Sequence, residues 1–142
     1  MKKVLIILIF LALILFLYEG PLKDFVKKGK SSDIIKTLKI LESCGEMVET
    51  YIIEWGKLPD VKNISELGKI ISEKYEIKLP EKDSWGNFLI FKKLNSDSYE
   101  IISAGKDKKA GTEDDIVYKD GSFLKKPQNK NLNKILENYL EN

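Results

Sequence analysis

The stretch whose reading decides the fold is Trp85–Ile116, WGNFLIFKKLNSDSYEIISAGKDKKAGTEDDI. It opens on Trp85-Gly86-Asn87, where Gly and Asn tolerate the positive φ of a tight turn. Phe88–Lys92 and Tyr99–Ser103 follow as two strands of a hairpin, separated by Asn95-Ser96-Asp97. The closing segment, Ser103–Ile116, sets Asp107, Glu113, Asp114 and Asp115 together with Gly105 and Gly111 between apolar runs. Carboxylates crowded this closely repel one another unless water or a cation screens them. Asp107 and the Asp114-Asp115 pair lie on opposite sides of Gly111, which lets the backbone fold back so that both face one ion. Carboxylate and carbonyl oxygens on a glycine-bent loop are the ligands Ca²⁺ takes. The other reading is a solvated acidic turn whose charge Lys108 and Lys109 balance. The EF-hand pattern does not fit, because lysines follow Asp107 and predicted strands flank the loop.

Outward from this stretch the chain alternates between helical and strand signals. Downstream, Ile116–Lys119 and Ser122–Leu124 flank Asp120-Gly121, a two-residue hairpin signal of type I′. Leu132, Ile135, Leu136, Tyr139 and Leu140 then form an amphipathic stripe on a helix from about Asn131, which either packs on the sheet or docks a partner. Upstream, Ser31 and Ser32 offer N-cap hydroxyls and Asp33 suits a first turn. Ile34, Leu38, Leu41, Met47, Val48, Tyr51, Ile52 and Trp55 recur at helical spacing up to Gly56, ahead of Lys57-Leu58-Pro59. Trp55 and Trp85 are both expected in the core. Gly45, mid-helix, costs about 1 kcal/mol relative to Ala, and marks either close packing against a strand or a kink. A second helix is predicted over Ser65–Tyr75, capped by Asn63 or Ser65, with Leu67, Ile70 and Ile71 inward. The expected architecture is α+β: a long N-terminal helix packed on a small antiparallel sheet, with an extra C-terminal helix.

Composition removes several function classes. Charged residues are 32% of the chain, yet the net charge is only +2, so no bulk attraction to nucleic acid follows. All 24 basic residues are lysine; without Arg there are no bidentate contacts to guanine edges or phosphates, and nucleic acid is not an expected partner. There is no His, hence neither the commonest general base nor the commonest transition-metal ligand. The single Cys44 makes no internal disulfide and no zinc site; among apolar neighbours it reads as a small core residue rather than a reactive thiol. Adjacent acids on one short loop are a poor acid/base pair, since glycosidase carboxylates approach the substrate from opposite sides of a cleft about 5–9.5 Å apart. No nucleophile elbow or phosphate-binding glycine loop is present. The expectation is therefore no catalytic residue, no bound organic cofactor and no small-molecule substrate.

Lys2 and Lys3 precede Val4–Tyr18, an unbroken apolar run ending at Glu19-Gly20-Pro21. As a helix it spans roughly 22 Å, short of the ~30 Å hydrocarbon core, and that length also fits the apolar region of a signal peptide. No small-x-small cleavage site follows, which favours a retained single-pass anchor with its lysines snorkelling. Residues 1–20 are thus expected as a membrane anchor or signal segment, 21–30 as a basic linker, and 31–142 as an extracytoplasmic domain on the outer side of the inner (cytoplasmic) membrane. Lys2 and Lys3 favour an inside N-terminus; Lys23, Lys27, Lys28 and Lys30 argue the other way.

In its order of pieces the chain resembles the C-terminal half of the major (G-type) pseudopilin of type II secretion systems. There a tryptophan-glycine-asparagine turn, two strands and a serine-x-glycine-x-aspartate … aspartate calcium loop follow one another, as Trp85, Gly86, Asn87, Ser103, Gly105, Asp107 and Asp115 do here. Glu49–Pro59 also resembles that family's helix end and its glycine-x-leucine-proline turn. The resemblance spans roughly Ile34–Ile116. It implies a calcium site with Asp107 and Asp115 as side-chain ligands, Asp114 a third, and the carbonyls of Ala104 and Thr112 as main-chain ligands. It further implies an exported, membrane-anchored structural subunit of a type II secretion or type IV pilus-related system, with secretion or pilus components as partners. The departures are Phe88 where the family usually has Pro, Lys108 where it often has Gly, and no prepilin-peptidase motif ahead of Val4. Val4–Tyr18 also lacks the family's buried glutamate. The missing motif and glutamate favour the alternative, a standalone exported pilin-fold binding or envelope protein that does not assemble into a filament.

Overall fold

The computed structural model of the chain describes residues 21–141; the apolar run Val4–Tyr18 lies outside them. The chain divides into two compact units at Asp33/Ile34. Among the described residues there are three helices and a four-stranded antiparallel sheet, an α+β fold: α1 (Pro21–Trp55), α2 (Ile64–Tyr75), β1 (Ile90–Lys93), β2 (Tyr99–Ser103), β3 (Ile116–Lys119), β4 (Ser122–Phe123) and α3 (Lys130–Leu140). Helix α1 begins at Pro21, so residues 21–30, expected as a linker, are helical. Among the described residues no helix is long and apolar enough to cross a membrane.

Local chemistry sets the element ends. Gly56 stops α1 with its N–H donating to the Ile52 carbonyl (2.7 Å). Asn63 caps α2: its Oδ1 accepts the Glu66 N–H (2.9 Å), and Glu66 reaches back to the Lys62 N–H (2.9 Å), so paired side chains satisfy two free amides. Asp120 and Gly121 both take positive φ (44° and 84°), as a type I′ turn requires. The sheet is a meander in the order β1-β2-β3-β4.

One cross-strand row carries the packing. Phe91 pairs with Ile101, Ile101 with Tyr118, and Tyr118 with Phe123. Against this row sits the stripe Leu38, Leu41, Cys44 and Val48 of α1, all fully buried. Burying one such Leu is worth roughly 1.5–3 kcal/mol. The closest approach is at Gly45, where an added Cβ would fall 2.1 Å from Tyr118 Cε1. Of the two readings of that glycine, close packing against a strand is the one realised. Tyr99 locks the same spot from β2, its hydroxyl within hydrogen-bond reach of the Gly45 carbonyl (3.2 Å) and Glu49 Oε1 (3.1 Å). Leu67 and Ile71 of α2 join the core. Leu132 and Leu136 bury α3, and the Tyr139 hydroxyl donates to Glu42 Oε2 of α1 (2.6 Å). Leu132, Ile135, Leu136 and Tyr139 of the C-terminal stripe therefore pack within the chain, while Leu140 is exposed.

Trp55 departs from expectation. It is 54% exposed, stacked on Tyr51 at 6.0 Å with the Lys74 ammonium 3.6 Å from its ring centroid. A cation over an indole face needs no burial in apolar surroundings. Trp85 is partly buried and packs against the core. Cys44 is buried, its thiol pushed up to about 12 by desolvation and pointed at the Pro80 carbonyl, the behaviour of a packing residue.

Burial also pushes the Tyr118 and Tyr139 phenols up to about 12, with Glu49 adding to the shift at Tyr118 and Glu42 at Tyr139; Tyr99 moves the same way. A phenol raised in the fold above its unfolded value of about 10 contributes stability that is whole below pH ~10 and lost as the pH climbs through ~12. Alkaline unfolding is thus expected to begin above pH ~10 and to release these phenolates cooperatively. Near-ultraviolet phenolate absorbance followed beside circular dichroism checks it: all tyrosines ionising near pH 10 with the fold intact is the contrary result.

Candidate functional site

The acidic loop hangs from a buried polar hub that its own sequence does not contain. Asp83, 6% exposed, accepts four hydrogen bonds. Its Oδ1 takes the N–H groups of Trp85 (3.0 Å) and Asn87 (2.8 Å). Its Oδ2 takes the Asn87 amide (2.9 Å) and the Ser103 hydroxyl (2.7 Å). All four partners are donors, which suits an acceptor-only carboxylate. Asn87 also donates to the Gly105 carbonyl (2.7 Å), and the Gly105 N–H to Ser103 Oγ (3.1 Å). The Trp85-Gly86-Asn87 turn and the start of the loop are therefore one assembly. Gly105 has φ +66°, and a Cβ there would fall 2.3 Å from the Asp114 carbonyl oxygen, so only glycine lets the two ends of the loop meet.

Beyond Gly105 the loop bonds to itself. The Asp107 N–H donates to Asp114 Oδ2 (3.0 Å), and Asp107 Oδ1 accepts the Lys109 N–H (2.8 Å). Lys108 adopts φ +63°, a left-handed conformation that favours glycine and costs another residue roughly 1–2 kcal/mol. Gly111, at the bend, donates its N–H to Asp115 Oδ2 (2.7 Å). Asp107, Glu113 and Asp114 are exposed, Thr112 is intermediate, and Ala104 and Asp115 are buried.

Five residues were expected to surround one ion. Asp115 and the Thr112 carbonyl do converge on a cation, and that cation is Lys126. Its Nζ donates to the Thr112 carbonyl oxygen (2.7 Å) and lies 3.5 Å from Asp115 Oδ2. Asp107 and Asp114 spend carboxylate oxygens on loop amides. Among the described residues no three acidic, cysteine or histidine side chains form a group that could hold a metal. Calcium seeks six to eight oxygens at about 2.3–2.6 Å. An ion within that distance of both Thr112 and Asp115 would contend with the lysine nitrogen for the same space.

Lys126 is held from behind. Its carbonyl accepts the Asn129 N–H (3.0 Å) and the Asn133 side-chain amide (3.0 Å). Asn129 caps α3, its Oδ1 accepting the Leu132 N–H (2.9 Å), while its amide donates to the Glu113 carbonyl. Asp83, Lys126 and Asn129 were missed at the sequence level. Asp83, two residues before Trp85, offered an Asx-turn signal. Lys126 offered none, being one lysine among many and distant in the chain from its partners. No family model, no curated protein and no solved structure matches this chain.

Proposed function

We propose that the chain is an exported, membrane-anchored structural subunit of pilin-like type, akin to the major pseudopilin of type II secretion, which acts by protein–protein contacts and not by catalysis. The observation that carries this reading is the order of assembly. A helix lies against an antiparallel meander across Gly45 and Tyr118, and the Trp85-Gly86-Asn87 turn is bonded to the start of the acidic loop through Asp83, Asn87 and Ser103. Trp85, Gly86, Asn87, Ser103, Gly105, Asp107 and Asp115 carry the resemblance, and they form one continuous unit of the fold. Lys2 and Lys3 ahead of Val4–Tyr18 supply the export signal. The implied partners are the membrane, through residues 4–18, and protein components of a secretion, pilus or envelope assembly.

A second reading, a standalone exported protein of the same fold that binds an envelope partner without polymerising, is favoured by one observation. Val4–Tyr18 contains no acidic residue to serve as the buried glutamate of filament-forming relatives. A reporter fused after Lys30 is expected to be active outside the cytoplasm under both readings; activity confined to the cytoplasm, with the protein soluble, overturns both. Mass spectrometry of the mature N-terminus separates them. Pilin-type processing supports the filament subunit, whereas an intact Met1 or a signal-peptidase cut leaves the standalone protein.

A further inference from the structure

We infer that the Lys126 ammonium is the resident cation of the acidic loop, holding it closed in the role that a bound calcium ion would otherwise fill. Asp115 is 5% exposed and anchors the bend through the Gly111 N–H. A buried carboxylate needs a compensating positive charge or donors on its remaining oxygen sites, and its Oδ1 has no hydrogen-bond partner. Lys126 Nζ, 3.5 Å from Oδ2 and 2.7 Å from the Thr112 carbonyl oxygen, supplies that charge. It spans the carboxylate and carbonyl of residues three apart, as a small ion would. The lysine side chain is 23% exposed, so its aliphatic stem is sunk and only the head reaches the loop.

The delivery of this charge is built into the C-terminal segment. Asn129 and Asn133 hold the Lys126 backbone against the first turn of α3, Asn129 clamps the Glu113 carbonyl, and Leu132 and Leu136 seat that helix in the core. The inference rests on this geometry alone and holds under either functional reading. Its consequence is that the loop closes wherever the chain folds, irrespective of the surrounding calcium concentration.

The test is thermal unfolding of the full-length chain in detergent, followed by circular dichroism in millimolar calcium chloride and in chelator. Wild-type curves are expected to coincide. Lys126→Met, which keeps the stem and deletes the charge, is expected to lower the melting temperature by about 5 °C or more in both conditions. Asp115→Asn should produce a comparable drop, and the double variant should lose little more than the larger single loss, because both remove one interaction. Lys126→Arg, retaining the charge, should recover most of the loss. A wild-type melting temperature raised several degrees by calcium overturns the inference and reinstates a metal. An unchanged melting temperature in Lys126→Met, or losses that simply add in the double variant, also overturns it. The wild-type comparison stands even if a variant does not fold.

Discussion

Replacing Asp83 with alanine is expected to cost about 3–4 kcal/mol of folding stability, a large fraction of the roughly 5–15 kcal/mol that keeps a domain folded. The side chain is buried and accepts from Trp85, Asn87 (twice) and Ser103. Its removal orphans four donors, and Ser103, fully buried, has no route to water. An unmade buried hydrogen bond costs about 1–3 kcal/mol, while the half-buried Trp85 and Asn87 groups recover part of theirs by hydration. Asp83→Asn sharpens the argument. It preserves shape but turns one acceptor into a donor facing donors, so it should still lose about 2 kcal/mol. Ser103→Ala, which deletes a single partner, should lose about 1 kcal/mol. Denaturant unfolding of the three variants checks the ranking. A loss below about 1 kcal/mol for Asp83→Ala would show that the hub does not hold the turn to the loop.

The second large effect is at Gly45. Alanine in a helix interior normally gains about 1 kcal/mol over glycine, so elsewhere this substitution would stabilise. Here the added methyl would stand 2.1 Å from Tyr118 Cε1 and 2.8 Å from Cδ1 and Cζ, inside the ring's van der Waals envelope. The ring cannot easily retreat: Tyr118 is 5% exposed and meets Phe123 edge-on at 5.0 Å, and Phe123 in turn meets Tyr139. Overpacking of this kind costs about 1–3 kcal/mol net, and Gly45→Val should exceed Gly45→Ala. In a Tyr118→Leu background the clash disappears, and Gly45→Ala should become neutral or stabilising, a coupling of about 1–3 kcal/mol. Stabilisation by Gly45→Ala in the wild-type background would falsify the close helix–sheet contact.

The elements most legible in the sequence were those held by chemistry within a few residues. Asn63, one of the two caps offered by the sequence, marks the start of α2, Asp120-Gly121 the β3–β4 turn, and Gly56 the end of α1, because each is a local side-chain or backbone bond that needs no distant partner. Periodicity likewise exposed the α1 stripe and the apolar stripe of α3. It could not say what would lie opposite each stripe, and Trp55 shows the consequence: it falls on the apolar stripe, yet it stacks on Tyr51 beneath the Lys74 ammonium at the surface.

For the loop, composition identified a place where negative charge must be answered, and glycine placement identified its bend. Sequence reading looked for the answering charge in an external ion or in the adjacent Lys108 and Lys109. The tertiary structure places it on Lys126, carried by the chain's C-terminal segment. Electrostatic attraction acts through space and is indifferent to chain distance, so which of many lysines meets Asp115 is decided only once α3 has buried Leu132 and Leu136 and brought its first turn to the loop.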